Sequence, residues 1–222
     1  MKRIFNLLIL LLMQYKIDAQ DKPLTFLALG DSYTIGESVP IYENFPYQTV
    51  QLLRSSGISI HATEIIAKTG WTTDELIAGI DRTRFEKSYD IVTLLIGVNN
   101  QYRGKDLSTY EKEFKKLLNK AIAFAGGNKQ HVFVLSIPDW GATPFAASRD
   151  RLKIGKEIDL FNSINKKLTD AAGIAYISIT EGSREATSNA SLVAKDGLHP
   201  SGLEYGRWAK KLADAILQSI RP

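Results

Sequence analysis

Ile91-Val92-Thr93-Leu94-Leu95-Ile96-Gly97-Val98-Asn99-Asn100 begins with six residues, all but one of them Ile, Val or Leu, and ends in a glycine and two asparagines. A strand with one wet face alternates apolar and polar side chains, whereas a strand covered on both faces reads as a continuous apolar run. Residues 91–96 therefore read as a strand buried on both sides, and residues 97–100 as the loop at its carboxyl end. Working outward, β-type runs recur at 24–29, 58–67, 132–137 and 174–179, the second partly alternating through Ile58, Ile60 and Ala62. Helical stretches lie between them. Residues 46–55 follow Asn44, a candidate N-cap, with Pro46 in the first turn. Residues 72–80 open with Thr and acids, and residues 150–172 form a long amphipathic stretch. Ser108-x-x-Glu111 and Ser201-x-x-Glu204 have the form of capping boxes. Five β-type runs alternating with helices predict an α/β fold whose parallel sheet is covered on both sides.

The first twenty residues follow a different pattern. Lys2 and Arg3 precede an apolar run from 4 to 13, and a polar stretch leads to Ala19-Gln20. That order predicts a signal peptide over 1–19, cleaved after Ala19, with a single domain over 20–222. The apolar run falls short of the ~20 residues that a bilayer span requires. The mature chain is thus expected to be secreted or periplasmic, without stable membrane insertion. The formal net charge of the 222 residues is +4, and the leader's three cations and one acid carry half of it. The remaining +2 gives no argument for nucleic acid as a partner. Lysines between 112 and 120 alternate with Glu111 and Glu113 at helical spacing and read as a solvated helix face. The chain has no cysteine. That excludes disulfides, a thiol nucleophile, thiolate-held metal and an acylated cysteine anchor.

In an open parallel sheet the site lies outside the carboxyl ends of the strands. Four loops expected there carry polar or small residues: Gly30-Asp31-Ser32-Tyr33-Thr34, Lys68-Thr69-Gly70-Trp71-Thr72, Gly97-Val98-Asn99-Asn100 and Asp196-Gly197-Leu198-His199-Pro200. A serine hydroxyl needs a base to become a nucleophile, and histidine serves near neutral pH with a carboxylate to orient it. Of the three histidines, His61 falls within the second β-type run and His131 opens the fourth, at the opposite end of the sheet. His199 alone sits beside a carboxylate, Asp196, close enough to meet it if the chain turns at Gly197. Ser32 follows the first strand directly and is the candidate nucleophile. A tetrahedral oxyanion needs donors, and the Gly70 N–H and the Asn99 amide are candidates. Each of these residues alone has an ordinary reading as a cap, turn or loop residue. The case rests on their joint placement. A binding module that had lost turnover would be expected to lack Ser32, Asp196 or His199, and all three are present. A nucleotide binder of this architecture would need a glycine-rich phosphate loop, which does not follow the first strand.

These segments resemble the four motif blocks of the GDSL-type SGNH hydrolases. Gly30-Asp31-Ser32-Tyr33 is similar to the first block with Tyr in place of Leu; Gly70 falls at the second block's glycine, Gly97-Val98-Asn99-Asn100 at the third, and Asp196 to Pro200 at the last. The resemblance implies a flavodoxin-like three-layer α/β/α sandwich with strand order 2-1-3-4-5. It implies Ser32 as nucleophile, His199 as base and Asp196 as its partner, with the N–H groups of Ser32 and Gly70 and the Asn99 side chain as oxyanion hole. It implies a small-molecule ester substrate and neither metal nor organic cofactor. Short-acyl or lysophospholipid-type esters are favoured, with carbohydrate O-acetyl esters as the alternative. The third block of the family usually ends Asn-Asp, so Asn100 stands where an acid braces the loop. Asp31 likewise reads as a loop-bracing residue. Tyr33, Tyr42, Phe45, Trp71, Tyr102, Trp140 and Phe145 are the aromatic residues expected near the site.

Overall fold

The central strand runs from Ile91 to Leu95, and every residue in it is buried. The computed structural model describes residues 22–85 and 88–220; the expected signal peptide, 1–19, lies outside the described residues. The elements in chain order are β1 (Phe26–Asp31), α1 (Ser32–Ile35), α2 (Phe45–Ser55), β2 (Glu64–Lys68), α3 (Thr73–Asp81), β3 (Ile91–Leu95), α4 (Val98–Tyr102), α5 (Leu107–Phe124), β4 (Val132–Leu135), α6 (Arg151–Ala172), β5 (Ala175–Ile177), α7 (Thr180–Arg184) and α8 (Gly202–Ile220). Together the strands form one parallel sheet of order β2-β1-β3-β4-β5. On one side α2 packs against α8; on the other α5 lies between α3 and α6. This is the three-layer α/β/α sandwich that the sequence pattern predicts.

Both faces of β1, β3 and β4 are occupied by core side chains, including Leu27, Leu29, Val92, Leu94, Phe133 and Val134. Each large aliphatic side chain removed from water contributes roughly 1.5–3 kcal/mol, so burial of the three central strands adds heavily to the backbone ladders that join them. That rigid sheet fixes where its carboxyl-end loops stand.

Local details depart from the sequence reading in three places. The stretch from 58 to 63 is not strand: Ile60 makes only an isolated bridge with Leu24, and pairing with β1 begins at Leu27 opposite Glu64. His61 therefore sits exposed in the approach to β2 rather than within it. Ser108 does not cap α5. Asp106 does, its side chain accepting from the Thr109 N–H at 2.8 Å, because the helix begins at Leu107. The box at Ser201 is only half made: the Glu204 N–H reaches Ser201 Oγ at 3.4 Å, while the Glu204 carboxylate accepts instead from Trp208 Nε1 at 2.8 Å. By contrast, Asn44 caps α2 and Asp150 caps α6 as ordinary side-chain N-caps.

Candidate active site

Four loops converge at the carboxyl end of the sheet. Ser32 is the first residue of α1, immediately after β1, and is buried. Asp31 caps that short helix, its Oδ1 accepting from the Tyr33 N–H at 3.0 Å. Burial pushes the Asp31 carboxyl up to about 7, although the Tyr33 N–H pulls the other way. The carbonyl of Ser32 accepts from the N–H groups of Gly36 and Glu37 at 3.1 and 3.0 Å, which curls the following segment back over the serine.

The loop from Asp196 to His199 is built almost entirely from itself. Gly197 takes a φ of 73°, a left-handed turn that suits glycine, and the chain doubles back. Asp196 Oδ1 then accepts from the N–H groups of Leu198 and His199 at 2.9 and 3.0 Å. Asp196 Oδ2 meets His199 Nδ1 at 2.5 Å and accepts from the Ser38 hydroxyl at 2.7 Å. Partial burial pushes the Asp196 carboxyl up, but the His199, Leu198 and Ser38 hydrogen bonds outweigh it and hold the group well below the usual carboxylate range. An ionised carboxylate at Nδ1 leaves Nε2 as the ring nitrogen that can accept a proton.

The two candidate oxyanion residues beyond Ser32 are joined by hydrogen bonds between loops. Gly70 has a φ of 83° in the turn between β2 and α3. Asn99, in α4, donates from Nδ2 to the carbonyl of Trp71 at 3.0 Å. Arg103, one helical turn further on, donates to the carbonyl of Gly70 at 2.6 Å and to Glu75 at 3.3 Å. Two side chains four residues apart thus grip consecutive carbonyls of the Gly70 loop. A primary amide carries two N–H bonds, so the Trp71 contact leaves the second of Asn99 for a ligand. Asn100 is fully buried and ties the same loops together: its Oδ1 accepts from the Thr73 N–H at 3.0 Å and its Nδ2 donates to Thr73 Oγ1 at 2.7 Å, while that hydroxyl donates to Glu113. The acid absent at position 100 has a counterpart in Glu113, reached through Thr73.

Ser32, Asn99 and His199 line one cavity of about 200 Å³, together with Tyr33, Val98, Tyr102, Trp140, Phe145 and Leu198. Asp196 stands behind His199, and Gly70 is not among the cavity's lining residues. No hydrogen bond joins the Ser32 hydroxyl to the His199 ring; such contacts commonly tighten only when substrate binds. Of the aromatic residues expected near the site, Tyr102, Trp140 and Phe145 form its walls, and their rings touch in series at 5.3 and 5.9 Å. Trp140 is held by a bond from its Nε1 to Gln101 Oε1 at 2.7 Å. Tyr33 lies beneath His199 at 5.4 Å between rings. Phe45 instead packs in the core against Trp208, Tyr42 stands exposed outside the cavity, and Trp71 covers Gly79 of α3. Ser38 and Arg103 were not visible as site residues in the sequence. The i, i+4 spacing of Asn99 and Arg103 was a usable signal for the second, and nothing marked the first. Among the described residues no cluster of His, Asp or Glu is arranged to hold a metal ion, and no helix is long and apolar enough to cross a membrane.

A sheet of this order, with a serine, an asparagine and a carboxylate-bound histidine around one cavity at its carboxyl edge, has the parts that an α/β hydrolytic site of the serine type requires. Residues 28–207 match the GDSL-like lipase/acylhydrolase family, and the chain belongs to that family of carboxylic ester hydrolases. Its fold is similar to that of a lipase/acylhydrolase from Enterococcus faecalis (TM-score 0.71, 16% identity, 90% of this chain and 98% of that one). It is also similar to TesA (TM-score 0.69, 18% identity, 88% and 99%) and to Axe2, an acetylxylan esterase from Geobacillus stearothermophilus (0.65, 18%, 89% and 94%). No curated protein sequence matches the chain.

Proposed function

We propose that the protein hydrolyses short-acyl carboxylic esters through an acyl-enzyme on Ser32. Ser32 Oγ attacks the ester carbonyl while His199 Nε2 takes its proton, and Asp196 stabilises the imidazolium. The carbonyl oxygen becomes an oxyanion received by the N–H groups of Ser32 and Gly70 and the Asn99 amide. The C–O bond to the alcohol breaks, and the alcohol leaves with the proton from His199. Water then attacks the acyl-enzyme with His199 again as base, releasing the carboxylic acid and restoring the serine. No step calls on a cofactor.

The observation that carries the substrate class is the cavity. Its volume of about 200 Å³ is below the roughly 300–1,000 Å³ of sites that enclose drug-sized ligands. Its walls are mostly apolar or aromatic, suiting a short acyl chain better than the long tail of a lysophospholipid. Export across the cytoplasmic membrane remains part of the proposal, on the strength of the sequence pattern in residues 1–19.

Fluorophosphonate labelling, with the modified peptide mapped by mass spectrometry, should mark Ser32 and vanish in Ser32→Ala and His199→Ala. Both variants should lose several orders of magnitude in turnover and keep the wild-type circular dichroism. Wild-type turnover in either would end the nucleophile and base assignments. Across p-nitrophenyl esters, kcat/KM should be greatest between acetate and butyrate and fall for longer chains. A peak at long acyl chains, or a strong preference for an acetylated glycan, would replace the substrate class and leave the mechanism in place.

A further inference from the structure

Ser38 has a φ of 66°, and among the described residues it is the non-glycine residue with positive φ. Such a backbone crowds Cβ against the following carbonyl, which glycine avoids. Strain of this kind points to a function when the side chain has a specific task. Here the task is visible. The Ser38 hydroxyl donates to Asp196 Oδ2 at 2.7 Å, on the same oxygen that meets His199 Nδ1 at 2.5 Å.

A carboxylate offers about four acceptor sites, and Asp196 has four donors. Three come from residues 198 and 199, which belong to its own loop and move with it. Ser38 is the fourth, and it lies 158 residues away along the chain. It follows directly on Gly36 and Glu37, whose N–H groups both donate to the Ser32 carbonyl. A path therefore runs from the Ser32 carbonyl through hydrogen bonds to Gly36 and Glu37, along the backbone to the strained residue, and by its hydroxyl to the carboxylate behind His199.

We infer that Ser38 is a positioning residue, tying the Asp196–His199 pair to the backbone of Ser32 so that base and nucleophile keep a fixed separation. The inference rests on the proposed roles of Ser32, Asp196 and His199. Ser38 touches no substrate in this scheme. It limits how far the carboxylate and its imidazole can swing away from the serine, a restraint that the local loop does not supply.

Two substitutions separate this role from that of an ordinary turn residue. Ser38→Gly removes the hydroxyl and relieves the backbone, so its Tm should equal or exceed that of the wild type. Its kcat on p-nitrophenyl acetate should nevertheless fall about tenfold with KM little changed, since a hydrogen bond to a charged group is lost. Ser38→Ala should lose a similar factor in kcat and also melt lower than the wild type, because the hydrogen bond to Asp196 is lost while the backbone strain is not relieved. The low-field imidazole N–H resonance of the Asp196–His199 pair should shift in both. A residue that only shapes the turn would leave Ser38→Gly with wild-type kcat and an unmoved resonance, and that result would overturn the inference. Fluorophosphonate labelling of the wild type tells the two readings apart. A labelled, active wild type with an indifferent Ser38→Gly removes only Ser38, whereas a wild type that neither labels nor hydrolyses removes both.

Discussion

The proposed acid–base half of the site and its proposed oxyanion half are built in opposite ways. Asp196 and His199 are three residues apart, turned by Gly197 and bonded mainly through side chains and N–H groups of their own loop, with the Ser38 hydroxyl on Asp196 and the Phe145 N–H on the Gly197 carbonyl as distant ties. The proposed oxyanion residues Ser32, Gly70 and Asn99 come from three separate strand-end loops, and Asn99, Asn100 and Arg103 fix the spacing of the last two loops through contacts to Trp71, Thr73 and Gly70. The first half is a local device carried wherever its loop goes. The second exists only when β1, β2 and β3 lie side by side. Damage to the first should therefore abolish proton transfer at one residue, while damage to the second should spread over several weaker contacts.

The largest expected effect is in the local half. Asp196→Ala should reduce kcat by roughly 10³–10⁴, because His199 loses both its tautomer control and the charge that stabilises its imidazolium. Steady-state kinetics with unchanged circular dichroism checks this, and a loss below tenfold would mean that His199 is oriented by something else. In the distributed half, Asn99→Ala should cost about 10²–10³ as a missing oxyanion donor. Arg103→Ala should cost only about tenfold, since it holds the loop through the Gly70 carbonyl and touches no reacting atom. If Arg103→Ala proved as damaging as Asn99→Ala, the loop would depend on one clamp and the contrast between the halves would collapse.

The remaining effect concerns stability and not turnover, and sits beside the proposed nucleophile. Asp31 is held up to about 7 by burial. Between the ordinary carboxylate range near pH 4 and pH 7, the unfolded chain has released this proton while the folded chain keeps it. Raising the pH through that window therefore costs stability, and above about pH 7 the cost levels off. Asp31→Asn keeps an acceptor for the Tyr33 N–H and removes the charge, so its denaturation midpoint should fall less than that of the wild type between about pH 4 and pH 8. Identical pH profiles for the two proteins would show that Asp31 is already ionised in the folded chain.

The contrast between the halves also explains what could be read in advance. Asp196-Gly197-Leu198-His199 announces itself because a short-range device leaves a short-range spacing. The β3 run was equally plain, since burial on both faces leaves almost no polar residue in it. The stretch 58–63 misled because alternation at Ile58 and Ile60 has the period of a strand, yet strand pairing requires a neighbour in register, and β1 supplies one only from Glu64 onward. Ser108 misled for a similar reason: Asp106, two residues earlier, caps the helix instead. The aromatic residues could not be sorted by sequence at all. Phe45 in the core and Phe145 on the cavity wall differ in what packs against them, and sequence spacing carries no trace of that.

The sequence by itself determined the parallel α/β class and the hydrolase family, because the first follows from short-range periodicity and the second from short motif blocks after the strands. Tertiary structure alone decided the size of the cavity at Ser32 and His199, the clamp of Asn99 and Arg103 on the Gly70 loop, and the reach of Ser38 to Asp196. Those depend on which loops the sheet brings together, and contacts between residues far apart in the chain leave no pattern along it.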